Sequence, residues 1–146
     1  MIRPMTIADL DAVMEIELDL FPKEAWSKEM FLEELAEVPY SREAVVLEEG
    51  NGVIGYASLR FVGHEGDINT IAIAREHQRK GLGKQLLNWL EQTASSHGVR
   101  ELFLDVRTDN QPAIDLYRAA GFVRIDIRRN YYGPNIDADV MRKKLT

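Results

Sequence analysis

The chain has 146 residues, of which 45% are hydrophobic and 29% charged, and its formal net charge is −6. This length suits one domain spanning residues 1–146, and the composition is that of a soluble globular protein. The absence of cysteine excludes disulfides, thiolate metal sites and a cysteine nucleophile. The acidic balance argues against nucleic acid as a partner, because a nucleic-acid backbone attracts basic surfaces.

The N-terminal stretch Met1-Ile2-Arg3-Pro4 lacks the continuous apolar core of a signal peptide. No run of about 18 apolar residues occurs anywhere in the chain, so no membrane-spanning helix is expected. The histidines are widely separated and lack metal-ligand spacing. We therefore expect a cytoplasmic protein that needs neither a membrane nor a metal ion, and that is a monomer or a weak homodimer.

Short apolar runs alternate with amphipathic segments along the chain, a pattern typical of an α/β fold. In order, we predict a strand, two helices, three strands, a helix, a strand, a helix and two strands. The approximate ranges are 2–5, 7–20, 28–38, 44–47, 53–61, 68–73, 82–97, 102–106, 111–120, 122–127 and 140–145.

Local signals fix several boundaries of these elements. Thr6 and Asp9 have the spacing of a capping box, and Ser27 and Asn110 precede the second and fourth helices as N-cap residues. Asn51-Gly52 predicts a hairpin turn between the second and third strands. A loop around residues 133–135 is expected between the last two strands.

The stretch 71–84 runs from an apolar strand through a basic turn into a helix. Free backbone N–H groups and the positive end of the helix dipole converge at the start of that helix. Gly81 and Gly83 remove side chains that would keep a phosphate away. The turn therefore predicts a site for an anionic ligand, assisted by the basic side chains of Arg79, Lys80 and Lys84.

Two common phosphate-binding motifs do not fit this turn. The dinucleotide fingerprint fails because Leu86 stands where its third glycine belongs, and the P-loop fails at Gln78 and Gln85. What remains is Q-x-x-G-x-G from Gln78 to Gly83, which resembles the acyl-coenzyme A signature of the GNAT acetyltransferase superfamily. An ordinary strand-to-helix turn with solvated basic side chains is the alternative.

Further stretches extend the resemblance over nearly the whole chain, to the RimI-like branch of protein N-terminal acetyltransferases. They are Phe21-Pro22 with Trp26-Ser27, Ile71-Ala72-Ile73, Leu104-Asp105-Val106-Arg107, Asn110, Leu116-Tyr117 with Gly121-Phe122, and Arg128-Arg129-Asn130-Tyr131-Tyr132. The resemblance implies a GNAT fold, with a mixed central sheet of six to seven strands and about four helices. It also implies direct acetyl transfer from acetyl-CoA to a protein N-terminal amine within a ternary complex; this branch is known for acetylating the N-terminal alanine of a ribosomal protein.

The same resemblance implies the residues of the coenzyme site. A strand backbone pairs with the pantetheine arm, the turn holds the pyrophosphate, and a helix tyrosine protonates the departing sulfur. That tyrosine corresponds to Tyr117, for which a plain core position is the alternative. The implied coenzyme-binding residues are Ile71, Ala72, Ile73, Gln78, Arg79, Lys80, Gly81, Leu82, Gly83, Lys84, Asn110 and Tyr117.

The general base is where the sequence departs from the branch. The branch carries glutamate in L-E-V-R, and here the position is Asp105. One methylene fewer withdraws the carboxylate by roughly 1.3 to 1.5 Å, a large part of a hydrogen-bond reach of about 2.6 to 3.2 Å. A bridging water, Glu65 or Asp67 are the alternatives for the base. The purely structural alternative for Asp105 is an ion pair with Arg107 or the capping of a turn.

The acceptor is expected to be an amine. A peptide α-amine has a pKa near ~7.7 to 8.0 and a lysine near ~10.4, a difference of about 3.4 kcal/mol in deprotonation. A distant base therefore suits a protein or peptide N-terminus better, with a small amine, an amino acid or a lysine side chain as the alternative. Trp26, Tyr131 and Tyr132 are implied at the peptide entrance, against the alternative of an ordinary strand with solvated arginines. A non-catalytic acyl-CoA-binding protein is the competing hypothesis.

Overall fold

The computed structural model describes residues 1–50 and 52–145. Within them, one seven-stranded mixed sheet of order β1-β2-β3-β4-β5-β7-β6 is flanked by four α-helices. The strands and helices are β1 (Ile2–Pro4), α1 (Leu10–Leu20), α2 (Lys28–Ala36), β2 (Arg42–Glu49), β3 (Gly52–Val62), β4 (Glu65–Ile73), α3 (Leu82–Ser96), β5 (Glu101–Arg107), α4 (Gln111–Ala119), β6 (Val123–Gly133) and β7 (Ile136–Lys144). The predicted fold class and element order are confirmed.

Strand β2 is buried on both faces and shows how the two layers of helices are held. Val45 and Leu47 belong to the hydrophobic cluster that includes the buried residues of α3 and α4. Ala44 and Val46 belong to the other cluster, with the buried residues of α1 and α2. Alternate side chains of a strand point to opposite faces, so α1 and α2 cover one face of the sheet and α3 and α4 the other.

The predicted caps are present. The backbone N–H and the hydroxyl of Thr6 donate to the Asp9 carboxylate at 2.8 and 3.1 Å. Ser27 Oγ accepts from the backbone N–H of Met30 at 3.2 Å, and Asn110 Oδ1 accepts in the same way at the start of α4. The first helical segment differs from prediction, because its first turn is a 3-10 turn and α1 begins at Leu10.

The last two strands are longer than predicted. Strand β6 continues to Gly133 and strand β7 begins at Ile136. The expected loop between them therefore shortens to a two-residue turn. Asn135 adopts a left-handed conformation with φ 61°, and its backbone N–H donates to Asn130 Oδ1 at 2.8 Å. The predicted Asn51-Gly52 turn includes Asn51, which lies outside the described residues.

Strands β4 and β5 are parallel neighbours that separate after a short contact. Their register pairs run only from Glu65 with Glu101 to Asp67 with Phe103. Shortly beyond that point, β4 carries a bulge, because Thr70 and Ile68 pair with consecutive residues of β3 and leave Asn69 without a partner there. The divergence opens a wedge in the sheet. None of the helices in the described residues combines the length and apolar character needed to span a bilayer.

Candidate active site

A cleft of about 790 Å³ occupies the wedge between β4 and β5. Its walls come from the C-terminal half of β4, the following turn, the start of α3, the end of β5, α4 and the segment between α1 and α2. The residues predicted for the coenzyme that line it are Ile71, Ala72, Ile73, Gln78, Arg79, Gly81, Leu82, Gly83, Lys84, Asn110 and Tyr117. Lys80, also predicted there, is an exposed side chain outside this lining.

The turn between β4 and α3 has a geometry suited to an anion. Gln78 Nε2 donates to the carbonyl oxygen of Ile73 at 2.9 Å, which ties the turn to the end of the strand. Arg79 and Gly81 both have positive φ, 65° and 79°, and α3 begins at the next residue. The residues of the first helical turn, whose N–H groups have no partners within the helix, therefore line the cleft.

The two glycines of the turn serve different needs. A Cβ at Gly81 would meet no atom within 4 Å, so the residue is required by its left-handed backbone and leaves open space for a ligand. A Cβ at Gly83 would lie 3.3 Å from Leu116 Cδ2. Gly83 thus allows α3 to approach α4 closely, a packing role that the sequence did not indicate.

Tyr117 is at once a core residue and part of the cleft wall. It is 6% exposed, packs edge-on against Phe122 with ring centroids 5.9 Å apart, and lines the cleft. Burial raises the pKa of the Tyr117 phenol above its usual value, and the neighbouring Tyr132 contributes. The phenol is therefore protonated at neutral pH and can donate a hydrogen bond.

A second cavity of about 540 Å³, here termed the side chamber, opens beside the cleft. Cleft and side chamber share several lining residues, so they are adjacent and have part of their walls in common. The shared residues are Trp26, Ile68, Asn69, Leu104, Asp105 and Tyr132. Glu65 and Tyr131, both predicted as site residues, line the side chamber only.

Carboxylates and arginines alternate along the side chamber. Asp105 Oδ1 lies 4.0 Å from Arg128 Nε, and Asp67 Oδ2 lies 3.7 Å from Arg60. Burial raises the pKa of Asp67; Arg60 opposes this shift, while the carboxylates of Asp105 and Glu65 add to it. Asp105 does not take the ion pair with Arg107 that the sequence offered as an alternative.

The tyrosine pair of β6 forms one wall of the side chamber. Tyr131 and Tyr132 pack edge to face at 5.0 Å, and the Arg128 guanidinium lies 5.4 Å from the ring centroid of Tyr131. Burial raises the pKa of the half-buried Tyr132, and Asp105 is the next largest cause. The two tyrosine rings thus pack on each other, while Arg128 and Arg129 are exposed, as the alternative of solvated arginines expected.

Sequence reasoning missed several residues of the site. Glu17 of α1 lines the cleft and is 3% exposed; its signal is a carboxylate seven residues after Leu10 on the apolar stripe of the helix. Asn69 lies at the junction of the two cavities. Its signal is the pair of adjacent polar residues, Asn69 and Thr70, which interrupts an apolar strand pattern.

Comparisons with known proteins agree with this geometry. The Acetyltransferase (GNAT) family model matches residues 10–122, more than half of the chain. The chain belongs to the GNAT acetyltransferase family. It is thus an acetyl-CoA-dependent N-acetyltransferase, as the resemblance implied.

Similar proteins cover nearly the whole of this GNAT acetyltransferase. A putative [ribosomal protein bS18]-alanine N-acetyltransferase of Bacillus subtilis is 35% identical, over 92% of this chain and 87% of its own. The N-alpha-acetyltransferase RimI of Mycobacterium tuberculosis is 36% identical, over 97% and 90%. The crystal structure of the Escherichia coli ribosomal-protein-S18-alanine N-acetyltransferase superposes with a TM-score of 0.85 at 30% identity, over 100% and 94%.

Proposed function

We propose that this GNAT acetyltransferase transfers the acetyl group of acetyl-CoA to the N-terminal α-amine of a protein, by direct attack within a ternary complex. The observation that carries the proposal is that the cleft and the side chamber lie side by side and share the wall residues Asp105, Asn69 and Trp26. Two substrates that enter from opposite sides can meet there. The names of the Mycobacterium tuberculosis and Bacillus subtilis relatives support an α-amine as acceptor.

The cleft is the proposed coenzyme site. The pyrophosphate binds the N–H groups at the start of α3, beside Gly81, because a helix N-terminus favours negative charge. The pantetheine arm lies along the edge of β4 from Ile71 to Ile73, which faces the wedge where β5 has turned away. This path leads the thioester toward Tyr117 and the junction with the side chamber.

The side chamber is the proposed acceptor site, with Trp26, Tyr131 and Tyr132 in its wall. The neutral amine attacks the thioester carbonyl to form the C–N bond, and the C–S bond then breaks. The amine proton passes through a water molecule to Asp105, and Tyr117 supplies a proton to the departing thiolate. Asp67 and Glu65 line the same chamber and are the alternative carboxylates.

An α-amine fits this arrangement better than a lysine side chain. A water-mediated carboxylate is a weak base, and a peptide α-amine needs about 3.4 kcal/mol less than a lysine to lose its proton. The names of the Bacillus subtilis and Escherichia coli relatives give alanine of ribosomal protein S18 as the acceptor, and an N-terminal alanine is the first candidate for this chain.

The test is a measurement of thiol release from acetyl-CoA with matched acceptors. One peptide has a free N-terminal alanine and no lysine, and a second has a blocked N-terminus and one lysine. Free alanine and a simple diamine represent small amines. We expect turnover of the first peptide, with mass spectrometry locating the acetyl group on its N-terminus. Turnover of the lysine peptide or a small amine without the first would overturn the proposal.

A further inference from the structure

The side chain of Arg107 links two parts of the molecule that are far apart in sequence. Its guanidinium donates to the carboxylate of Glu24, 83 residues earlier, at 3.2 and 3.3 Å. It also donates to Asp109, two residues later, at 2.7 and 2.9 Å. One guanidinium therefore holds a local carboxylate and a distant one at the same time.

The contact between Arg107 and Glu24 spans the cleft. Glu24 belongs to the segment between α1 and α2, residues 21–27, and Arg107 is the last residue of β5; both line the cleft. Trp26 and Tyr132, which the cleft shares with the side chamber, line the same cleft. The ion pair thus belongs to the cleft wall that also carries these shared residues.

The 21–27 segment is fixed at a second point as well. The backbone N–H of Trp26 donates to Glu17 Oε2 at 2.9 Å, and the Trp26 ring packs on Phe31 with centroids 5.1 Å apart. These contacts tie the end of the segment to α1 and α2. The Glu24 contact is the described ion pair that joins the segment to the opposite side of the cleft, on β5.

We propose that Arg107 and Glu24 are positioning residues: their ion pair holds the 21–27 segment against β5 and so fixes the wall of the side chamber that receives the acceptor. This inference rests on the proposed acceptor site. Loss of the ion pair releases one wall of the acceptor site and leaves the coenzyme turn at Gln78 to Gly83 untouched. Loss of the ion pair is therefore expected to raise the KM for the acceptor.

Glu24→Gln and Asp109→Asn form a matched pair of variants. Each removes one negative charge from the same guanidinium, and only Glu24→Gln breaks the link across the cleft. For Glu24→Gln we expect a rise of about three- to tenfold in the KM for the best peptide acceptor, with kcat and the KM for acetyl-CoA within about twofold. For Asp109→Asn, whose side chain also lines the cleft, the KM for the peptide acceptor should stay within about twofold. Equal effects of the two variants, or an equal rise in both KM values, would overturn the inference.

A measurement without an acceptor separates this inference from the proposed function. In a Trp89→Phe background, Trp26 is the remaining tryptophan, and acrylamide, a neutral quencher, reports its accessibility. We expect stronger quenching for Glu24→Gln than for Asp109→Asn or the parent. If the parent turns over no peptide but the quenching difference is present, the acceptor assignment fails and the tether stands. If the quenching is the same in all three proteins, the tether fails whatever the acceptor.

Discussion

At the scale of single residues, Tyr117 lines the cleft and Asp105 lines both cleft and side chamber, and the two belong to different elements. Tyr117 is buried in α4, and Asp105 is half-buried on β5. Burial raises the pKa of Tyr117, which keeps the proton on the phenol. The proposed acid, Tyr117, therefore carries its proton at neutral pH.

Tyr117→Phe tests the proposed acid. Phenylalanine fills the same buried space and lacks the proton, so we expect kcat to fall about ten- to a hundredfold while acetyl-CoA binding by calorimetry stays within about threefold. A melting temperature close to that of the parent serves as the control for folding. Unchanged kcat would assign protonation of the thiolate to another group.

Asp105 is tested by two substitutions with opposite expectations. Asp105→Asn removes the proton acceptor, and we expect kcat/KM to fall about a hundredfold or more at neutral pH. Asp105→Glu extends the carboxylate by roughly 1.3 to 1.5 Å toward the amine, within a hydrogen-bond reach of about 2.6 to 3.2 Å, and should keep or raise kcat/KM. An active Asp105→Asn enzyme together with an inactive Asp67→Asn enzyme would transfer the role of base to Asp67.

At the scale of elements, the capping box before α1 is reinforced by an ion pair between Asp9 and Arg3. Asp9 receives two hydrogen bonds from Thr6 and two from the Arg3 guanidinium, the latter at 2.8 and 2.9 Å. Arg3, as the largest cause, lowers the pKa of Asp9 from 3.8 to about 2. A lowered carboxyl pKa stabilises the folded state above pH 4, and this contribution is lost as the pH falls through 2.

Asp9→Asn isolates the charge from the cap, because asparagine still accepts the hydrogen bond from Thr6. We expect about 1 kcal/mol less stability at pH 7 by urea unfolding, after allowance for solvent screening. The difference from the parent should shrink between pH 4 and pH 2. Asp11→Asn, on a side chain that is 92% exposed, is the matched control and should change stability by less than about 0.5 kcal/mol. A deficit that does not depend on pH would contradict this account.

Elements fixed by neighbouring residues were predictable from the sequence, and those fixed by distant pairing were not. Ser27, Asn110 and the turn from Gln78 to Gly83 act through hydrogen bonds within a few residues, and their helices begin where expected. The extension of β6 beyond residue 127 depends on pairing with β7. The bulge at Asn69 depends on register with β3, which composition does not determine.

The candidate site divides in the same way. The residues of the turn from Gln78 to Gly83 and Tyr117 follow from local patterns and the family resemblance, and all of them except Lys80 line one cleft. Glu24 lies on a loop and Glu17 on a helix, and no neighbouring residue in the sequence indicates which groups they contact. Glu24 contacts Arg107, 83 positions later, and Glu17 contacts Tyr56, 39 positions later. Only the folded chain brings these groups together.

At the scale of the whole molecule, the sheet consists of two blocks, β1 to β4 and β5 to β7, whose register pairs cover only residues 65–67 and 101–103. The proposed coenzyme lies between them and touches both. A ligand that binds only the folded state adds about 2.7 kcal/mol at a concentration of about 100 times its Kd. For a chain of this size that corresponds to a rise in Tm of about 5 to 10 °C.

We therefore expect acetyl-CoA to raise the Tm by this amount in a thermal-shift measurement. Gly81→Ala is the matched variant, because alanine at φ 79° strains the turn by about 1 kcal/mol and introduces a methyl group into the open space for the ligand. Its shift at the same acetyl-CoA concentration should be smaller. Equal shifts for parent and variant would place the coenzyme elsewhere.

The short seam between the two blocks also bears on how readily proteases cleave the folded chain. Proteases cleave a chain in proportion to how often it opens, and a ligand bound across the seam makes such openings rarer. We therefore expect the enzyme to resist proteolysis for longer with acetyl-CoA bound than without it.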